Sequence, residues 1–235
     1  MRPFFPYAGS KWNLAPKYGA PAYSTVIEPF AGSAAYSVRH NTKRAILIDT
    51  SPEVIATWQY LINASAEDIQ KLPIDFETLV GLDLPLGAKY LIGFWISKGT
   101  SVPQNKKSRW AIEYRDSTQA KVWNEAARNR IASQVESIKE WEAYNIDYQE
   151  IENIEVTWFI DPPYQTRGKA HYPRHYRMNY EACAEFCLSR KGQVIVCEGE
   201  GGDWLPFEHL YDARGTFGKH RSGVSREYAY LKGNT

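Results

Sequence analysis

The 235-residue sequence predicts an α/β fold: a mostly parallel sheet with helices on both faces and an antiparallel strand near the end, interrupted by a mainly helical insert. Three observations point there. Short apolar runs alternate with helical stretches up to about residue 62 and again after 153, the rhythm of strand–helix–strand units. Three of those runs end on an acid, at Glu28, Asp49 and Asp161, and the carboxyl ends of strands are where open α/β sheets place ligands. The stretch between, roughly 63–153, lacks the alternation.

The first segment, RPFFPYAGSKWNLAPKY, sets Phe4, Phe5 and Tyr7 before Ala8-Gly9-Ser10-Lys11. Small residues beside an aromatic and a lysine make a loop whose backbone can approach a ligand. Val26-Ile27 form a short buried strand, Glu28 to Ala34 a tight turn of small residues, and a helix begins at Ala35. Ala45–Ile48 is the next strand and ends on Asp49; a helix from about Pro52 to Ile62 follows, with Ser51 as N-cap and Pro52 at its first position. Asp49 lies 17 positions beyond Gly32, close to the spacing at which nucleotide-binding units place an acid on ribose hydroxyls.

Within 63–153, Ala88–Ser97 is aromatic-rich and helical, a loop KGTSVPQNKKSRW follows, and a helix is predicted from Gln119 to about Trp141. Between Lys98 and Lys139 nine basic residues face four acids, a surplus of five in a chain of net charge +1. Such asymmetry is the electrostatic footprint of a nucleic-acid-facing surface. Lys106, Lys107 and Arg109 sit there in a loop with Gln104 and Asn105, residues that grip phosphates or read base edges.

Val156–Ile160 runs into Asp161-Pro162-Pro163-Tyr164. The apolar run reads as a strand covered on both faces, and the prolines end it because they lack a ladder N–H. Pro162 leaves its own carbonyl and that of Asp161 outside a regular ladder. An acceptor carboxylate, a carbonyl and a ring face suit a planar molecule bearing an amine, such as a nucleobase. Asp161, at a strand end, should contribute little to the core unless Lys11 pairs with it. Downstream, Arg167, Lys169, His171, Arg174, His175 and Arg177 alternate with Tyr172 and Tyr176, a mixture that suits phosphates and stacked bases. Tyr180–Ser189 is a helix capped by Asn179 and Gln193–Cys197 a buried strand. Phe207–Asp212 and Arg226–Leu231 form a closing antiparallel pair around the Gly-rich, basic GTFGKHRSGVS.

Composition bounds the rest. A 43% apolar and 14% aromatic content supports a sizeable core and excludes a disordered chain. No apolar run is long enough for a membrane span, no signal peptide is expected, and there is no internal repeat. Cys183, Cys187 and Cys197 fall at apolar positions, the first two at helical spacing, so they read as buried thiols in a reducing compartment. No metal site is expected.

The four residues Asp161-Pro162-Pro163-Tyr164 resemble the catalytic motif of amino-methyltransferases that use S-adenosylmethionine. Tyr7-Ala8-Gly9-Ser10-Lys11 resembles the W-A-G-G-K motif of Dam-type (D12 class) DNA adenine-N6 methyltransferases, with Tyr7 for Trp and Ser10 for Gly. Glu28-Pro29-Phe30-Ala31-Gly32-Ser33-Ala34 is similar to motif I of the same family, with Ala34 where a second glycine is usual. The three segments occur in the family's order and cover about a third of the chain. The resemblance implies a Rossmann-like methyltransferase sheet. It also implies a catalytic, cofactor-binding part over 1–62 and 154–235, and a target-recognition insert over 63–153. S-adenosylmethionine would be held by Tyr7, Lys11, Glu28, Phe30, Gly32, Asp49 and Asp161. Asp161 and the Pro162 carbonyl would orient the amine of a flipped-out adenine, with Tyr164 stacking on its ring. Double-stranded DNA would meet Lys106, Lys107, Arg109, Arg167, Lys169 and Arg174. A bacterial or phage enzyme working in the cytoplasm, as a monomer or weak dimer, is the implied setting. Cytosine N4, RNA or a glutamine side chain remain alternative substrates, although cytosine enzymes often carry Ser and glutamine enzymes Asn where this chain has Asp161. A binding module without turnover is the other alternative, and the intact Asp161–Tyr164 motif with Lys11 and Asp49 argues against it.

Overall fold

The computed structural model describes residues 1–97, 99–166, 178–217 and 221–233. Among them, seven strands form one sheet. They are β1 (Thr25–Glu28), β2 (Arg44–Ile48), β3 (Glu142–Tyr144), β4 (Val156–Ile160), β5 (Gly192–Gly199), β6 (Glu208–Phe217) and β7 (Arg221–Lys232). Their order is β3-β2-β1-β4-β5-β7-β6. The first five are parallel, with Val26 opposite Thr157, Ile46 opposite Glu142 and Phe159 opposite Ile195. β7 runs antiparallel between β5 and β6. The chain moves outward from β1 in one direction and from β4 in the other. Their carboxyl ends therefore flank the switch point, where a crevice opens in sheets of this kind.

All five residues of β4 are buried, four of them apolar and the fifth, Thr157, donating its hydroxyl to Gln193 Oε1 at 2.7 Å. Trp158 and Ile160 face one way, packing with Ile27, Val194 and Val196 against Cys183, Phe186 and Cys187 of helix α7 (Tyr180–Ser189). Phe159 faces the other way. It stacks on Tyr36 of α1 (Ala35–His40) at 4.2 Å between centroids and meets Tyr18 edge-on. Helix α2 (Pro52–Asn63) begins at Ser51, whose hydroxyl accepts the Val54 N–H, and buries Val54, Ile55, Trp58 and Leu61. Phe5, Phe94 and Val38 share that core, so α4 (Leu86–Ile96) packs with the sheet and is not held apart from it.

The structure departs from the sequence reading in three places. The predicted helix from Gln119 to Trp141 is broken. The Asn124 side chain accepts from Ala127 N and donates to the Ser117 and Gln119 carbonyls. These bonds fix a helix start, so α6 spans only Glu125–Ala132, and a 3-10 turn follows at Val135–Ile138. Two shorter helices, α3 (Ala66–Gln70) and α5 (Arg109–Glu113), begin at capping serines. Second, the stretch 63–153 contains an unpredicted strand: β3 comes from it and pairs with β2 at the sheet edge. Third, both closing strands run beyond their predicted ends into the Gly-rich stretch between them, and pair from Glu208–Ala229 to Phe217–Arg221. Glycine accommodates a strand wherever cross-strand pairing supplies the hydrogen bonds.

Candidate functional site

Each of four neighbouring parallel strands carries a carboxylate at its carboxyl end: Glu28 on β1, Asp49 just beyond β2, Asp161 just beyond β4 and Glu198 on β5. The first three line a cavity of about 360 Å³ at the β1/β4 switch point, a volume in the range of small-molecule sites. Tyr7, Lys11, Phe30 and Gly32 line it as well. All seven residues expected around the cofactor thus share one wall system, although they come from four separate segments.

Local chemistry explains how they meet. Gly32 adopts φ +44, and a Cβ there would lie 2.9 Å from Cε1 of Tyr7. Only glycine gives the turn both this backbone and room for the ring. The buried Trp58 indole donates to the Gly32 carbonyl at 2.8 Å, and Ser33 meets Ser10 at 3.2 Å, tying the turn to the N-terminal loop. Asp49 accepts the Gly32 N–H at 3.0 Å and the Ser51 N–H at 2.9 Å. It therefore organises the turn as well as facing the cavity. Ala34, at φ 46, occupies left-handed backbone without being glycine.

Lys11 is the one cation among the described lining residues. Its Nζ lies 3.0 Å from Asp161 Oδ1, donates to the Gly9 carbonyl at 3.1 Å, and sits 4.7 Å from the centroid of the Tyr164 ring. Burial is the largest single influence and works against its charge, but Asp161, Cys197 and Glu227 together outweigh it and hold the ammonium above its ordinary range. Burial likewise lifts Asp161 above the usual carboxylate range in spite of Lys11. Glu28, 3% exposed, accepts the Ser37 N–H at 2.8 Å, and burial pushes its carboxyl up to about 8. Burial also raises Asp49 against the N–H groups of Ser51 and Gly32. With Glu53 also on the wall, the lining carries more acid than base. It suits a ligand bearing positive charge and disfavours a phosphate chain.

Pro162 is buried, and Pro163 in its place lines the cavity. Tyr164 is not on the wall. Its hydroxyl donates to Glu227 Oε2 at 2.7 Å, and it packs with Tyr18, Phe159 and Cys197. Beyond it, Glu198 accepts from Gln165 N and from the Trp204 indole, which anchors the chain leaving the motif. Sequence reasoning passed over Glu227, Glu198, Ser101 and Val102, the last two being cavity-lining residues from the loop after α4. Glu198 carried a legible signal, since it follows the apolar run QVIVC as Asp49 and Asp161 follow theirs. Glu227 carried none, because its role depends on pairing with a distant strand.

Of the residues expected on DNA, Lys106 and Arg109 are exposed. Lys107 is engaged within the molecule: Nζ donates to the Ile74 carbonyl at 3.1 Å and lies 4.4 Å from the Phe76 ring centroid. None of the three lines the cavity. Arg128, Arg130 and Lys139 also donate to backbone carbonyls, of Leu72, Pro3 and Ile62, so part of the positive surplus serves the fold. Arg167, Lys169 and Arg174 lie outside the described residues, as do His171 and His175. Among the described residues no group of three or more His, Cys, Asp or Glu is arranged to hold a metal. No described helix is long and apolar enough to cross a membrane.

No curated protein matches the chain. Among solved structures, a putative methyltransferase from Escherichia coli aligns over 92% of this chain and 78% of its own, at 10% identity and TM-score 0.37. A putative methylase from Haemophilus influenzae aligns over 93% and 82%, at 10% identity and TM-score 0.35. Similarity at that level says nothing of chemistry. Residues 7–85, which carry the N-terminal loop, the Gly32 turn and Asp49, match the family described as D12 class N6 adenine-specific DNA methyltransferase.

Proposed function

We propose that the protein transfers a methyl group from S-adenosylmethionine to the N6 amine of an adenine flipped out of DNA. The observation that carries this reading is the position of Asp161: at the carboxyl end of the central strand β4, paired with Lys11, on the wall of the switch-point cavity.

The residues present fit the cofactor. The lining has an acid surplus for a ligand with sulfonium and ammonium charges, a carboxylate at Asp49 for ribose hydroxyls, and at Gly32 a backbone that leaves room beside Tyr7. Tyr7, Lys11, Glu28, Phe30, Gly32, Asp49 and Asp161 would hold it. When bound, S-adenosylmethionine supplies an electrophilic methyl group. The chain's own contribution is orientation. A carboxylate offers about four lone-pair sites, so Asp161 can keep Lys11 on Oδ1 and still accept from an amine. Fixing that amine, with the Pro162 carbonyl as second acceptor, aims the nitrogen lone pair; proximity and alignment account for more of such a reaction than a strong base does. Lys11 favours the charged, accepting form of Asp161 against burial. Tyr164 supplies a ring face beside Asp161 for the base. Residues 1–62 and 154–235 form the catalytic part in this reading, and 63–153 the target-recognition part, which presents Lys106 and Arg109 to double-stranded DNA while lending β3 to the sheet.

Incubation with labelled S-adenosylmethionine and mixed-sequence DNA, followed by digestion to nucleosides, tests the proposal. Label in N6-methyldeoxyadenosine is the expected result. Label in N4-methyldeoxycytidine, label only when RNA replaces DNA, or binding without turnover would each overturn it.

A further inference from the structure

Glu227 stands on β7, 63 positions after Tyr164 and directly opposite Gly199 of β5. It is 7% exposed, a carboxylate retained inside the sheet edge, where an acid needs a specific partner. Its partner is the Tyr164 hydroxyl at 2.7 Å; the Tyr18 hydroxyl reaches the same oxygen at 3.5 Å. Across the strand pair, Gly199 makes the space for the ring, since a Cβ there would lie 2.8 Å from Cδ2 of Tyr164. The Lys11 ammonium lies over the same ring at 4.7 Å. The preceding residue is pinned too, because the Tyr180 hydroxyl donates to the Pro163 carbonyl at 2.9 Å. Tyr164 is thus held at its hydroxyl, along one side of its ring and by the lysine that also holds Asp161.

We propose that Glu227 is a positioning residue: by accepting the Tyr164 hydroxyl it fixes the ring beside Asp161 in the orientation that receives the target base. The proposal rests on the function proposed above and assigns a role to a strand none of whose described residues lines the cavity. Glu227 does not act as a base towards Tyr164. Burial holds that phenol well above its ordinary range, so the proton stays on the tyrosine. A hydrogen bond to a charged acceptor is among the stronger ones, and a two-torsion ring held at its far end loses little further freedom when a base stacks on it.

The test compares Glu227→Ala, Glu227→Gln, Tyr164→Phe and the double variant Glu227→Ala/Tyr164→Phe. The measurements are kcat, KM for DNA and cofactor affinity by calorimetry, with the Tyr164 ring-flip rate followed by aromatic NMR in the ligand-free protein. Glu227→Ala should raise KM for DNA and lower kcat, reducing kcat/KM by about tenfold or more, the equivalent of one charged hydrogen bond, with cofactor affinity unchanged. Glu227→Gln keeps an acceptor oxygen and should restore most of the loss. Tyr164→Phe breaks the same bond from the other side and should match Glu227→Ala, and the double variant should be no worse than either single one. Ring flips should accelerate in Glu227→Ala. A Gln variant as impaired as Ala, a parallel loss of cofactor affinity, additive losses in the double variant, or unchanged ring flips would each overturn the proposal. If Glu227→Ala does not fold, Tyr164→Phe decides: wild-type kcat and KM in that variant overturn the proposal. Absence of methyl transfer to DNA by the wild type would instead refute the proposed function, and the ring-flip comparison would still report on the clamp.

Discussion

Lys11 Nζ and Asp161 Oδ1 are 3.0 Å apart, with side-chain exposures of 8% and 20%. The pair joins the N-terminal loop to the end of β4, 150 residues on. It also changes what removal of Asp161 does, because the lysine left behind would be a buried cation without its counter-charge.

Asp161→Ala should therefore abolish methyl transfer and also destabilise the fold, by about 2–4 kcal/mol; the figure is discounted from the buried-pair range because Asp161 is partly exposed. Lys11→Met/Asp161→Ala removes both charges and should recover most of the stability with none of the activity. Urea unfolding alongside the methyl-transfer assay separates the two effects. Equal stability of the single and double variants would show that the pair does not hold the loop.

Gly32→Ala forces an L residue into left-handed backbone, at a cost of about 1–2 kcal/mol, and drives a methyl group against Tyr7. Cofactor affinity should fall together with thermal stability. Tyr7→Ala in the Gly32→Ala background should recover part of the stability, since the clash is gone while the backbone strain stays. Calorimetry showing undiminished cofactor binding by Gly32→Ala would remove the turn from the cofactor site.

Glu28 gives the pH dependence a definite sign. Its folded pKa, about 8, lies above the ordinary value of 4.5, so between those limits the folded state holds a proton that the unfolded chain releases. The contribution of Glu28 to stability should be highest below about pH 4.5, fall as pH rises towards 8, and level off above it, by an amount on the order of several kcal/mol. Glu28→Gln should flatten much of that slope and be the more stable protein at pH 8. Asp49, Asp161 and Glu198 are raised by burial as well and contribute in the same sense, whereas His40, lowered chiefly by burial, contributes in the opposite one. Parallel urea titrations of both proteins at pH 5, 6.5 and 8 measure it; a Glu28→Gln protein with the same slope as the wild type contradicts the assignment.

Lys106, Lys107 and Arg109 should not behave alike. Replacing exposed Lys106 and Arg109 with Ala should weaken DNA binding and reduce the salt slope by about one counterion per lost phosphate contact, with cofactor affinity intact. Lys107→Ala should act more on stability, since its ammonium serves the Ile74 carbonyl and the Phe76 ring. Binding isotherms at several salt concentrations report the slopes. A Lys106→Ala/Arg109→Ala protein with the wild-type slope would place the DNA surface elsewhere.

What the sequence determined by itself is local. Four apolar residues and the β-branched Thr157, followed by Asp161-Pro162-Pro163, form a buried strand that must stop. Gly32 among small residues forms a tight turn, Ser51-Pro52 starts a helix, and the carboxylates at Glu28, Asp49 and Asp161 stand at strand ends. Each signal is set by side-chain period, backbone freedom or a missing N–H within a few positions. Tertiary structure decided everything that depends on which distant atoms meet. Residues Glu142–Tyr144 became an edge strand because β2 offered an unpaired ladder. The two ends of the Gly-rich run became strand, to Phe217 and from Arg221, because β6 and β7 pair there. The predicted helix after Gln119 broke because Asn124 found two carbonyls to bind. Lys107 was taken up by a backbone oxygen, and Glu227 acquired its role only when β7 inserted beside β5 and brought its carboxylate to Tyr164. Burial then set the charges: the same glutamate side chain that titrates near 4.5 in water keeps its proton to about 8 at Glu28, because the folded interior solvates the ionised form poorly.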